Sequence, residues 1–548
     1  MSLPTDISPL ITDHRSPITP SERRWIFWAA VIGMLITTIP YFIGFHTQGE
    51  DWRFTGFVFG VNDGNSYIAK MLAGAEGDWL FRTPYTHLEQ RGILAYFPFI
   101  VLGKLAAPPA QHEQFVILYH LYRLVGGVLA ILATYEFLAF FISRISVRRL
   151  GTLVACFGGG LGWLLVILGQ RNWLGSLPLD FYSPETFGFL SLYGLPHLAV
   201  SRALLLYGLL LYLRQTSPPH AAFTSIFPGL LFLLTGFFQP LTIAVAWAAI
   251  GAHLAGYGLT LFVRGHRSRT DYQLWLEYLR RAILAGLISA PFVLYSFLAL
   301  RGDPFLSGWT AQNKILSPHF LHYLAAYGLM LPLVIMGARA LLHTRPVQSW
   351  LLIGWGLLLP MLAYAPFNLQ RRLPEGIWVA LVTLAMASFD RVQKPARAAY
   401  IPLALTFPTT FFLLLGGITS TLQPQTPIFR PTSEVNAFLF LADYAQTDEL
   451  ALTSFETGNV LPVWAPVRVI IGHGPESVGL AELQPRVEAF YHAKTSDIER
   501  LEFLKEFEVK YVFWGPQERT LGGWDAGQAG YLKEVFNENG YTVFEIVP

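Results

Sequence analysis

Cysteine is all but missing from this chain: Cys156 is the only one among 548 residues, and it sits inside an apolar run. An intrachain disulfide is thereby excluded, and so is a metal site built on thiolates. Charge is scarce as well. Asp, Glu, Lys and Arg together make 14% of the residues, where an average soluble protein carries about a quarter. The basic residues are spread over short loops and form no basic face, which excludes a nucleic-acid module. No internal repeat and no low-complexity segment is visible. Gly472-His473-Gly474 follows a strand-like run without completing the GxGxxG pattern of a dinucleotide loop.

What fills the chain instead is apolar sequence, 53% of it, much in runs near the roughly 20 residues needed to cross a bilayer. The candidate spans are Trp25–Phe45, Phe115–Phe141, Leu150–Gly169, Pro196–Leu213, Ala221–Phe238, Leu241–Val263, Ala282–Leu300, Phe320–Met336, Ser349–Pro366, Pro374–Phe389 and Ala399–Ser420. The expectation is a polytopic α-helical membrane protein with about eleven transmembrane helices. Gly92–Ala107 is apolar but short and interrupted by Pro98, and reads as interfacial or re-entrant. Trp25–Phe45 lacks the short apolar core and small-residue cleavage site of a signal peptide and reads as a retained first span.

The sparse charge is unevenly divided. From Gln425 onward acids outnumber Lys and Arg by 18 to 9; before it Lys and Arg lead by 29 to 18. This shift divides the chain into an N-terminal tail (1–24), a transmembrane domain (25–420) with a long first outer loop (46–114), and a C-terminal domain (425–548). In the last, Ala451–Phe455, Val467–Gly472, Lys510–Trp514 and Thr542–Val547 read as strands. Gln484–Ala493, Ser496–Phe507 and Ala526–Asn539 read as helices, giving a small α/β domain. Its expected role is to pack over the mouth of a site or to bind an acceptor. The Lys/Arg bias of membrane proteins sets the orientation. Arg15, Arg23, Arg24, Arg144, Arg148, Arg149, Arg214, Arg264, Arg267, Arg269, Arg280, Arg281, Arg339, Arg345, Arg391, Lys394 and Arg397 fall on one side, read as cytoplasmic. The N-terminus is then cytoplasmic and the C-terminal domain extracytoplasmic, in a multi-pass protein of the cytoplasmic membrane.

Polar chemistry collects on the outer side. The first outer loop carries Asp63 with Tyr67 nearby, and the second carries Glu185. Two spans running from outside to inside begin at Pro196 and Pro374, with His197 at one start and Arg371-Arg372 just before the other. Helix N-termini offer free N–H groups and positive dipole to an anion, and guanidinium forks match phosphate. Arg202, within a span, reads as a phosphate contact or as the partner of an acid such as Glu185. A phosphate at the membrane surface most naturally belongs to a lipid, so a polyprenyl-phosphate sugar is the expected donor. Asp63 would take the proton of an acceptor hydroxyl as general base; by analogy with hydrolases, a single base suits inversion. Read without function, Asp63 would cap the helix-like Ser66–Ala73. Glu76 and Asp78 read as a solvated face.

At these residues the chain resembles the GT-C class of integral-membrane glycosyltransferases. The class includes the dolichyl-phosphate-mannose protein mannosyltransferases and the bacterial aminoarabinose transferase. The resemblance rests on VNDGNSYIAKMLAGAEGDW, then ILAYFPFIVLGKL, then YRLVGGVLAILATYEFLAFFISRISVRR. It implies a lipid-phosphate-sugar-dependent transferase of hexosyltransferase type, working on the outer face with inversion. The acceptor, whether glycan, lipid or protein, is left open. Members often carry two adjacent acids in the first loop. Here the pair is Asn62-Asp63, which leaves the base to Asp63 alone. A divalent cation is left open and no metal ligand is assigned. Two other functions compete: a carrier or flippase for a lipid-linked sugar, and a non-catalytic envelope assembly factor of the same fold.

Overall fold

The computed structural model describes residues 18–109, 111–214, 221–264, 269–390, 392 and 396–547. Most of the N-terminal tail, together with Arg15, Arg267, Arg391 and Lys394, lies outside the described residues. The protein is a polytopic α-helical membrane protein. Among the described residues eight helices are long and apolar enough to cross a bilayer: Pro20–Thr47, Gln111–Phe141, Pro196–Leu213, Leu241–Val263, Arg269–Gly302, Leu321–Thr344, Gln370–Asp390 and Arg397–Thr421.

Three of the eleven expected spans are shorter or broken. The segment read as a span at Leu150–Gly169 is a helix Ile145–Phe157, an extended stretch, and a six-residue helix Gly162–Ile167. The cause is Gly158-Gly159-Gly160. A Cβ at Gly160 would come within 2.6 Å of Ala326 Cα. The chain passes so close that its amides bond other backbones, Gly159 N–H to Thr406 O and Leu161 N–H to Ala325 O. These satisfy groups that cannot remain bare in a membrane. Ser349–Pro366 divides into Ser349–Leu357 and Leu359–Ala363, with Pro360 in the first turn of the second. Ala221–Gly236 is a helix of 16 residues with Pro228 inside it.

The first span starts on a capping box. Thr19 accepts from the Glu22 backbone N–H, and Glu22 reaches back to the Thr19 backbone N–H. Buried Glu22 also accepts from Arg148 (2.8 Å) and Tyr135 (2.6 Å). One carboxylate thus ties three helices at the end away from the C-terminal domain. Arg148 is fully buried there, and does not lie free in a basic loop.

Strands β1 (Trp52–Phe54) and β2 (Phe429–Pro431) pair antiparallel, joining the first loop to the entrance of the C-terminal domain. The domain's sheet holds β3 (Leu450–Leu452), β4 (Arg468–Val469), β5 (Tyr511–Trp514), β6 (Leu532–Glu538) and β7 (Tyr541–Ile546) in the order β4-β3-β5-β7-β6. The β3 neighbours are parallel and the β7 neighbours antiparallel. The helix expected over Ala526–Asn539 is not there: a short 3₁₀ turn leads into β6. Asn539 and Gly540 both have positive φ, 47° and 84°. They form the two-residue Asn-Gly turn that favours a hairpin with β7.

The domain does not stand apart from the loop. Ile68, Met71, Tyr85 and Phe99 share one buried cluster with Phe438, Leu461, Val469, Phe513 and Val543. Gly92–Ala107 contains only a seven-residue helix, Phe97–Gly103, about 10 Å long and too short to span. It crosses the helix Val61–Ala75 so closely that a Cβ at Gly74 would strike Ile100 O, and one at Gly103 would strike Met71 O.

Candidate active site

The helix Val61–Ala75 begins at Gly60, whose φ of 58° turns the chain sharply into it. No side chain caps its start, so Asp63 is not used as a cap. Asp63, Ser66, Tyr67 and Lys70 recur at helical spacing and form one face. Of these, Asp63 is open, with 57% of its side chain accessible, whereas Ser66 and Lys70 are buried.

Opposite this face stands a turn of the C-terminal domain, His473–Ser477. His473 Nε2 lies 3.1 Å from Asp63 Oδ1, and its Nδ1 lies 3.4 Å from Glu476 Oε1. Glu476 is 2% exposed and accepts from Lys70 Nζ at 2.7 Å, from Ser66 Oγ at 2.8 Å and from Thr83 Oγ1. Lys70 also donates to Ser66 and sits 4.4 Å from the centre of the Tyr96 ring.

The electrostatics follow from that geometry. Burial pushes the Glu476 carboxyl up, but Lys70 and His473 outweigh it and hold it well below the usual carboxylate range. Burial pulls His473 down, yet Glu476 and Asp63 raise it to about 9. For Asp63, surrounding protein penalises the charge even though water reaches it. The hydrogen bond and charge of His473, with Arg372, prevail and leave it lowered. Asp63 is therefore an ionised carboxylate at neutral pH.

The facing wall comes from the membrane domain. Tyr67 stacks on Phe99 at 4.5 Å and meets the His197 ring edge-on at 5.3 Å. His197 lies in the first turn of Pro196–Leu213, and its Nδ1 is enclosed without a partner. The start of that helix is fixed by Tyr41 and Tyr119, whose hydroxyls donate to Tyr193 O and Gly194 O, each at 2.6 Å. Arg372 ends a short 3₁₀ turn, Gln370–Arg372. Its Nε is 3.6 Å from Glu185 Oε1, and its charge acts on Asp63, Tyr67 and Tyr96.

The structure therefore brings Asp63, Tyr67, His197, Arg372 and Glu185 into one neighbourhood: Tyr67 touches His197, and the charge of Arg372, paired loosely with Glu185, acts on Asp63 and His197. Arg371 diverges from Arg372: its guanidinium lies over the Tyr182 ring at 4.6 Å. Arg202 is corrected. Its partner is Glu375, not Glu185, and its remaining donors go to Phe187 O, Ser191 Oγ and Pro184 O. It has no donor left for a phosphate and instead holds the segment that presents Glu185.

The sequence matches no family model and no curated protein. Solved structures do match. The Archaeoglobus fulgidus oligosaccharyltransferase tethered with an acceptor peptide superposes with a TM-score of 0.54 at 11% identity, over 96% of this chain and 74% of that one. The same organism's AglB, in complex with an inhibitory peptide and a dolichol-phosphate, gives 0.52 at 11%, over 96% and 75%. ArnT from Cupriavidus metallidurans in the apo state gives 0.52 at 12%, over 96% and 98%. These are GT-C glycosyltransferases.

The chain has the GT-C fold.

Within this GT-C frame the partly exposed Arg372, loosely paired with Glu185, is the cation whose charge bears on Asp63. Among the described residues no three His, Cys, Asp or Glu side chains converge as a metal cage. Asp63 Oδ1 is already engaged by the His473 ring, and the nearby acids Glu476 and Glu185 are themselves paired with Lys70 and Arg372. His473, Glu476 and Lys70 were not singled out by sequence reasoning as a site. The one available signal was the turn Gly472-His473-Gly474 after a strand, and it carries no trace of a partner 410 positions earlier.

Proposed function

We propose that the protein is a membrane glycosyltransferase of hexosyltransferase type. It moves a sugar from a polyprenyl-phosphate donor to an acceptor hydroxyl or amide at the face that carries the C-terminal domain. The observation that supports this most is the open, ionised Asp63 standing across from Arg372 and His197. AglB, which shares the fold, is known in complex with a dolichol-phosphate. The Lys/Arg bias puts this face outside the cytoplasm.

The lipid chain lies in the bilayer and the phosphate at the start of Pro196–Leu213. Arg372 is only partly neutralised by Glu185 at 3.6 Å and is free to pair with the phosphate. The acceptor attacks the anomeric carbon from the Asp63 side. Asp63 takes the acceptor's proton, the new C–O or C–N bond forms, and the bond from carbon to phosphate oxygen breaks. The lipid phosphate leaves with one more negative charge, which Arg372 stabilises. Attack and departure on opposite faces invert the sugar.

The test is Asp63→Asn in proteoliposomes with a polyprenyl-phosphate sugar. Transfer is expected to fall at least about 100-fold, the lower range for losing a general base, with the thermal midpoint unchanged. Wild-type transfer by this variant would overturn the assignment.

A further inference from the structure

We propose that His473, delivered by the C-terminal domain, is a positioning residue for Asp63, and that the domain thereby completes the active site. The inference rests on Asp63 being the base.

The geometry carries it. The imidazole lies between two carboxylates, with Nε2 at 3.1 Å from Asp63 and Nδ1 at 3.4 Å from Glu476. Nε2 makes the hydrogen bond to Asp63, whereas Nδ1 is enclosed without a hydrogen-bond partner and meets Glu476 through charge alone; together the two carboxylates favour the protonated ring. The other groups facing it are Lys70 from the loop helix, which is bound to Glu476, and the Tyr85 ring at 5.5 Å; the charge of Arg372 also bears on Asp63. The contact with Nε2 engages Oδ1 and leaves Oδ2 as the proton acceptor. The result is a carboxylate held in one orientation and kept ionised.

The turn that delivers His473 is itself built for position. Ser477 Oγ accepts from the Gly472 and His473 backbone N–H groups, and the Glu476 and Ser477 N–H groups donate to His473 O. Just before it, Gly472 crosses Gly458 with no room for a Cβ on either. Glu476, anchored by Lys70, Ser66 and Thr83, then docks the turn on the same helix that bears Asp63. One cluster both seats the domain and orients the base.

The test uses full-length protein in proteoliposomes. His473→Gln keeps one donor and removes the charge. kcat is expected to fall about 10- to 100-fold, the range for a charge-assisted hydrogen bond, with KM for the lipid donor unchanged. The acid limb of the kcat/KM profile is expected to move to higher pH as Asp63 loses the partner that lowers it. A residue that merely supported the fold would leave that limb in place. The inference is overturned if Asp63→Asn is inactive while His473→Gln retains both rate and acid limb. Activity in Asp63→Asn would instead remove the base reading itself. A second measurement needs no variant: exchange of the histidine C2 hydrogen, followed by mass spectrometry, titrates His473 in the wild-type chain. A midpoint above about 8 is expected from its two carboxylate neighbours; one below about 7 would mean a neutral ring and overturn the proposal.

Discussion

The guanidinium of Arg202 has every direction filled by protein: Glu375 twice, two carbonyls and Ser191. That of Arg372 is about a third exposed, with one loose contact to Glu185. The same side chain therefore supports two different expectations. Arg202→Met leaves Glu375 buried without its partner, which costs about 3–5 kcal/mol. The thermal midpoint of the solubilised protein is expected to drop sharply. Arg372→Met removes a partly exposed, loosely paired charge beside Asp63, so stability should hold while KM for the lipid-phosphate donor rises about tenfold. Melting curves and donor titrations on the two variants separate these roles. If Arg372→Met lost stability and kept its KM, Arg372 would belong with Arg202 as a structural residue.

Among elements, the crossing of Val61–Ala75 over Phe97–Gly103 decides where Asp63 stands. Gly74 and Gly103 let two backbones touch, and any Cβ meets a carbonyl oxygen that cannot move without its helix. Gly103→Ala is expected to destabilise by about 1–3 kcal/mol, the range for overpacking, and to lower transfer by tilting the Asp63 helix. Thermal melting and the transfer assay on one preparation test this; a variant as stable and active as wild type would show that the crossing does not set the site. The same elements show what could be read beforehand. Spans announce themselves by length and apolarity, and Asp63 by being an acid just past the first of them. The break at Gly158-Gly159-Gly160 was written in the glycines, but only the opposing backbones of Ala325 and Thr406 make it a break and not a kink. The Asn539-Gly540 turn was equally legible and was masked by a run, Ala526–Asn539, whose spacing also suits a helix. What no local pattern encodes is the meeting of Asp63 with His473, because tertiary packing alone brings the two segments together.

For the molecule as a whole, the C-terminal domain and the first loop share one apolar core and one buried ionic cluster. Docking of the domain is therefore tied to pH. His473 rises from 6.5 to about 9 on folding. Its contribution is full below 6.5 and is lost as pH climbs from 6.5 through 9. Glu476 and Asp63 are lowered, so theirs is present above about 4.5, near the ordinary carboxylate values, and is lost as pH falls through their folded values. Burial lowers Lys70, and that adds an opposite slope as it sheds its proton toward its ordinary 10.5. The His473 part is isolated by comparing wild type with His473→Gln at each pH. The wild-type advantage, read as the rate at which a protease cuts the C-terminal domain from the membrane part, is expected to be largest at pH 5–6.5. It should shrink steadily toward pH 9. An advantage that stayed constant across that range would mean that the ring is not charged when the domain is docked.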